Sequence, residues 1–189
     1  MSRPRNLTGA ATRAALLDAA LTIVGEQGLS ALTYDKLVEI SSVSRGGVMH
    51  HFPTRRELLV AVVDEAAARL RASLKMDDGN LTPAQRLDVY VESVAGHPSM
   101  NRNALTLSLA ENPELLQSWR DMQRELDDSM RAAGGSVELA LARRLALDGL
   151  WWQQVVDPDR FSDEQRRELL SAVKNWVPEG FTTQSAGPS

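Results

Sequence analysis

The stretch from Thr33 to Leu59, TYDKLVEISSVSRGGVMHHFPTRRELL, constrains the chain most, because it fits three helix starts and a tight turn into fewer than thirty residues. Thr33, Ser44 and Thr54 each stand where a side-chain oxygen can accept from the orphan amides of a following helical turn. Thr54 precedes Glu57 at the reciprocal capping-box spacing, and Pro53 blocks continuation of the helix before it. Between the first two starts, Leu37 and Ile40 share a helical face, Val43 falls in the connection, and Val48 and Phe52 face back from the second helix. These five apolar residues predict one small core under a helix, a turn of three or four residues and a second short helix. Such a pair has helix-turn-helix geometry, whose second helix enters the DNA major groove. The outward face of that helix is then Ser44, Arg45, Gly46, Met49 and His50. Gly46 and Gly47 each cost about 1 kcal/mol relative to alanine inside a helix. Either their missing side chains let the backbone approach phosphates or base edges, or the short helix is irregular.

The segments SVSRGGVMHHFPTRRELL, TYDKLVEI and EQGLSALT together resemble the DNA-binding domain of TetR-family transcriptional regulators, contiguously over about Arg13 to Val63. The resemblance implies that Thr33 and Tyr34 lie near a phosphate and that the Ser44 to His51 helix, Gly47 included, reads the groove. It also implies that Thr54 and Arg55, at the next helix start, contact the backbone of the DNA. Two departures stand out: Ser42 occupies a turn position where the family often has glycine, and Met49 and His50 replace two tyrosines. The phosphate contact such a tyrosine makes would fall to His50 or be lost.

Composition limits the alternatives. The chain has 189 residues, a net charge of -4 and no cysteine, which excludes disulfides and thiolate chemistry. Residues 1 to 60 hold seven basic against five acidic side chains, whereas the rest hold fourteen against twenty, so DNA binding should be local to the N-terminal segment and salt-sensitive. No apolar run approaches a membrane span, so a cytoplasmic protein without a membrane partner is expected. There is no P-loop, dinucleotide glycine pattern, HExxH or GxSxG, and His50, His51 and His97 lack ligand spacing. Neither enzyme, cofactor nor metal is expected.

Residues 1 to 9 read as a flexible basic arm carrying Arg3 and Arg5, either a DNA contact or a free tail. Residues 10 to 60 read as the DNA-binding domain, opening with a helix over Ala10 to Gln27 that carries Leu16, Ala20, Ile23 and Val24 on one face. Gly28 follows where a left-handed cap is wanted. Residues 61 to 180 read as a second helical domain and 181 to 189 as a disordered tail. A helix from Arg55 to about Leu74 joins the two domains. Further helices are predicted over Pro83 to Ala95, Ser99 to Ala110 and Pro113 to about Ala133. In Ser136 to Val155 apolar residues surround the helix, so one side requires a partner. Ser162 caps a last helix with Leu169, Leu170, Val173, Trp176 and Val177 on one face.

The reading is all-α, about nine helices, with an N-terminal three-helix helix-turn-helix domain and a C-terminal ligand-binding and dimerisation domain. By the resemblance, the last two helices pair in a homodimer, which places Leu145, Leu169, Leu170, Val173 and Trp176 at the seam. Two related readers can span half-sites about 34 Å apart on a pseudo-palindromic double-stranded operator. Met100, Trp119, Met122, Trp151 and Trp152 are deformable or large apolar groups that either fill the core or line an effector site. Asp148 either favours a lipophilic cation there or is satisfied internally. The expected function is a ligand-released transcriptional repressor; the alternative is a helical interaction module or a regulator without a small-molecule effector.

Overall fold

The computed structural model describes residues 9–95, 115–131 and 137–176. Among them are eight α-helices and no strand: α1 Gly9–Gln27, α2 Tyr34–Ser41, α3 Arg45–His51, α4 Arg55–Ser73, α5 Pro83–Ala95, α6 Gln117–Arg131, α7 Val137–Val156 and α8 Asp163–Asn175. A 3-10 turn, Leu29–Ala31, follows α1. The all-α reading holds. The helix expected over Ser99 to Ala110, residues 1–8 of the arm and the tail lie outside the described residues, and Gly9, assigned to the arm, opens α1.

The chain forms two compact units, one built on Met1–Ala68 with Ser99–Trp119, the other on Arg69–Pro98 with Arg120–Ser189. In the first, α1 supplies Leu16, Leu17, Ala20, Ile23 and Val24 to a core completed by Leu37, Val48, Phe52, Leu58, Val62 and Leu115. Its helix starts follow the local chemistry. Thr33 accepts from the Lys36 amide and Ser44 from the Gly47 amide. Thr54 and Glu57 close a reciprocal box, each side chain accepting from the other's backbone amide.

Two local expectations fail. Ile40 is 44% exposed, because the inner stripe of α2 is Tyr34, Leu37 and Val38, and a residue three beyond Leu37 is turned off that stripe. Gly28 has φ 80° and ψ 169°, a mirror-extended conformation open to glycine and distinct from a left-handed cap.

In the second unit α5 packs on both α7 and α8, and these two pack on each other. Buried hydrophobics include Met122, Leu126 and Met130 of α6, Leu147 and Trp151 of α7 and Leu170 of α8. Ser162 and Gln165 form a second complete capping box at the start of α8. Among the described residues no helix is long and apolar enough to cross a membrane.

Candidate nucleic-acid interface

The turn between α2 and α3 is three residues long. Ser42 carries it in the left-handed region, at φ 58° and ψ 16°, and its amide still donates to the Val38 carbonyl. Ser41 Oγ accepts from the Val43 amide at 3.3 Å. Serine thus adopts the conformation glycine takes most cheaply, and the turn closes without glycine.

The two glycines of α3 have different reasons. A Cβ on Gly47 would lie 2.8 Å from Val43 Cγ1 and 3.3 Å from the capping Ser44 Oγ, so glycine there lets the turn pack on the helix. A Cβ on Gly46 would meet nothing within 4 Å. Gly46 is therefore the position where a missing side chain leaves the outer surface of α3 bare. Around it Ser44, Arg45, Met49 and His50 are exposed, while Val48 on the opposite side is fully buried.

The remaining candidates brace that face. Tyr34 Oη donates to the Phe52 carbonyl at 2.7 Å, tying the start of α2 to the end of α3. Burial, with a smaller contribution from Glu57, raises the Tyr34 phenol above its ordinary value, so it remains a donor. Arg13 lies over the Phe52 ring, 5.3 Å from its centroid, and half-buried His51 packs at 6.5 Å from the same ring. Arg55 donates to the Leu32 carbonyl, which leaves its other N–H groups on an exposed side chain. Thr33 and Thr54 are exposed caps. Arg45, the first residue of α3, is ion-paired with Asp35 in the first turn of α2, a partner that sequence spacing of ten residues could not suggest.

The residues assigned to an effector divide. Met100 lies outside the described residues. Trp119 packs against the core of the first unit. Met122 and Trp151 are buried in the second unit, whereas Trp152 is 43% exposed. Asp148 has both oxygens engaged: Oδ1 accepts from the Tyr90 hydroxyl, and Oδ2 lies 3.4 Å from Arg144 Nη2. Arg144, 7% exposed, also pairs with Asp127 and donates to Gln123 Oε1 at 2.9 Å. Tyr90, Arg144 and Asp127 were not among the expected site residues. The i,i+4 spacing of Arg144 and Asp148 is a signal for Arg144 alone. Among the described residues no group of three or more His, Cys, Asp or Glu could hold a metal.

Of the seam residues, Leu145 is 67% and Trp176 43% exposed, Leu169 and Val173 are half-buried, and Leu170 is 4% exposed. Val156, 63% exposed, joins Leu145 and Trp152 on one outward stripe of α7.

Residues 16–62 match the family described as bacterial regulatory proteins, tetR family, and residues 84–178 match the tetracyclin repressor-like C-terminal domain. Two proteins named HTH-type transcriptional repressor AcnR are similar. The one from Corynebacterium diphtheriae is 28% identical over 123 residues, 62% of this chain and only 60% of its own length. That from Corynebacterium efficiens is 28% identical over 181 residues, 93% of this chain and 82% of its own. A solved structure from Rhodococcus sp., described as a TetR-family transcriptional regulator, has a TM-score of 0.70 at 21% identity, covering 86% of this chain and 96% of that one. The multidrug binding protein EbrR, complexed with proflavin, has a TM-score of 0.57 at 23% identity, covering 86% and 99%. At these identities the two structures establish the fold.

Proposed function

This chain belongs to the tetR family of bacterial regulatory proteins, and from that premise we propose that it is a cytoplasmic repressor that binds a pseudo-palindromic operator as a homodimer and leaves it when a small, largely apolar effector binds. The observation that carries the reading is the exposed face of α3, where Arg45, Met49 and His50 surround the bare backbone at Gly46 above a fully apolar core. That face can enter a major groove without rearranging its own unit.

The dimer is supported by the stripe Leu145, Trp152 and Val156, three large apolar residues exposed on one side of α7. An exposed apolar stripe of this kind marks an interaction surface. Trp152 therefore belongs to the proposed seam, and the effector is left with the apolar side chains Met122 and Trp151 of the second unit. EbrR, with the same fold, is a multidrug binding protein. For this chain, a lipophilic cation would have to displace Arg144 from Asp148, so apolar contact rather than an ion pair carries the proposed affinity.

Helix α4 is the proposed lever. Its first residue, Arg55, holds the Leu32 carbonyl, and in its last turn Arg71 pairs with Glu125 and Asp77. An effector that favours one position of the α4 end over another weakens DNA binding by the same coupling free energy, typically about 1 to 3 kcal/mol.

Selection of genomic fragments from the source organism by the purified protein tests the reading. One enriched pseudo-palindrome, with half-sites about one helical turn apart, is expected. The double variant Leu145→Glu with Val156→Glu should become monomeric and lose the enrichment. A folded, dimeric wild-type protein that enriches no sequence would overturn the proposal.

A further inference from the structure

We infer that Asp35 is a specificity-determining residue of the DNA-reading face: it holds the Arg45 guanidinium for a base edge and penalises contact with the phosphate backbone. The inference rests on the operator-binding reading above, and it starts from an ion pair that stability does not explain. Asp35 and Arg45 are bonded across the helix-turn-helix with side chains 82% and 60% exposed. Pairs so exposed contribute little to folding. Nor is Asp35 needed as a cap, since Thr33 already accepts from the Lys36 amide. Its position in the first turn of α2 gives it a small favourable interaction with the helix dipole, which any acidic residue there would share.

The geometry of the pair is more informative. Asp35 Oδ1 accepts from Nη1 of Arg45. A guanidinium carries five N–H donors in a fixed planar fork, so the remaining edge, Nη2 with Nε, is left to engage two acceptors side by side. In the major groove the two acceptors of guanine, O6 and N7, match that edge. A guanidinium at the end of a long side chain otherwise samples many rotamers and meets phosphates first, because the backbone carries the charge. The Asp35 carboxylate alters both conditions. While paired it limits the rotamers of Arg45 and places a negative charge beside the guanidinium, which repels phosphates. Non-specific binding is weakened, while a bidentate base contact is pre-organised.

The discriminating measurement is a double-mutant cycle on the full-length protein. Affinities of wild type, Asp35→Ala, Arg45→Ala and the double variant are measured for the selected pseudo-palindrome and for a random-sequence duplex of equal length, across a salt series. Asp35→Ala should tighten random-duplex binding several-fold, with a salt slope steeper by about one phosphate contact. It should also lower the operator-to-random ratio about ten-fold, and Asp35→Glu should restore much of that ratio. In the Arg45→Ala background the Asp35 substitution should leave the ratio unchanged. An equal gain on both duplexes, which is a net-charge effect alone, would overturn the inference. So would a change of ratio that persists without Arg45. Either result leaves the wild type with its preferred duplex and the regulator reading intact, whereas a wild type with no preferred duplex overturns both. Thermal unfolding of each variant accompanies the cycle, because a merely structural role for Asp35 would move the melting temperature and not the ratio.

Discussion

The interior of the first unit is hydrocarbon, whereas the second buries an arginine with three polar partners. In the first, Leu16, Ile23, Leu37, Val48 and Leu58 are wholly inaccessible, and polar bonds at helix ends and turns frame them, from Thr33, Ser44, Thr54, and Tyr34 to the Phe52 carbonyl. In the second, Arg144 joins Asp127 and Gln123 of α6 to Asp148 and, through it, Tyr90 of α5. Close apolar packing admits one arrangement and resists deformation, which suits a surface that must fit a groove of fixed width. A buried polar network is stable only while every partner is in place, so exchange of one partner changes its energy sharply. On the proposed reading, the difference assigns rigidity and responsiveness to different side chains of one all-helical chain.

The contrast breaks first at Leu37. Leu37→Ala removes a fully buried side chain from the core beneath the reading face and should cost about 3 kcal/mol by transfer and cavity terms. Urea unfolding measures it; a loss under about 1 kcal/mol would mean the core collapses around the gap and is less rigid than argued. In the second unit the corresponding change is Arg144→Ala, which leaves Asp127 and Asp148 without their shared cation. Breaking a buried pair costs about 3 to 5 kcal/mol, and partial exposure of the aspartates, 28% and 35%, brings the expected loss to about 2 kcal/mol. Adding Asp127→Asn and Asp148→Asn should recover part of that loss. If it recovers none, the network is held by shape and not by charge.

The tyrosines sharpen the same contrast, because one bonds a neutral carbonyl and the other a carboxylate. Tyr34→Phe should cost about 1 kcal/mol and Tyr90→Phe about 2 kcal/mol, in line with neutral and charge-assisted bonds. Both phenols are raised, Tyr34 chiefly by burial and Tyr90 far more, by burial and then by the Asp148 charge and hydrogen bond. A group whose folded value is raised contributes stability that is complete below its unfolded value. Here that value is near 10, and the contribution disappears as pH rises through the folded one. Unfolding free energy followed from about pH 8 to about pH 11 should therefore fall above the ordinary phenol range. Tyr90→Phe should remove most of the fall and Tyr34→Phe only a little. Equal costs and equal alkaline slopes for the two variants would remove the distinction between the units.

What the sequence disclosed was local. The caps at Thr33, Ser44, Thr54 and Ser162 each accept from an amide three residues on, and a three-residue spacing is visible without a fold. Ile40 misled because Leu37 belongs to two possible stripes, and the polar tip of Tyr34 concealed that the inner one ran through it. Trp151 and Trp152 are neighbours in the chain yet 9% and 43% exposed, a turn of one residue that apolar residues ringing α7 gave no means of orienting. Partners remote in sequence were invisible: Tyr90 meets Asp148 across 58 residues, and Arg45 meets Asp35 across ten. The face proposed for DNA was thus legible as a row of helix ends and outward residues, and its electrostatics were not.

The smallest expected effect lies at the turn. Ser42 and Lys75 are the non-glycine residues with positive φ among those described, at 58° and 50°, one in each unit. A side chain in the left-handed region costs about 1 to 2 kcal/mol, and glycine removes that cost while adding disorder to the unfolded chain. Ser42→Gly should therefore stabilise by about 0.5 kcal/mol and leave operator affinity unchanged, since the Ser42 amide still reaches the Val38 carbonyl. Lys75→Gly, beyond the end of α4, should gain as much. A Ser42→Gly variant of lower affinity but higher stability would show that the serine at this turn sets the angle of α3, and that the rigidity of the reading face depends on the turn as well as on the core beneath it.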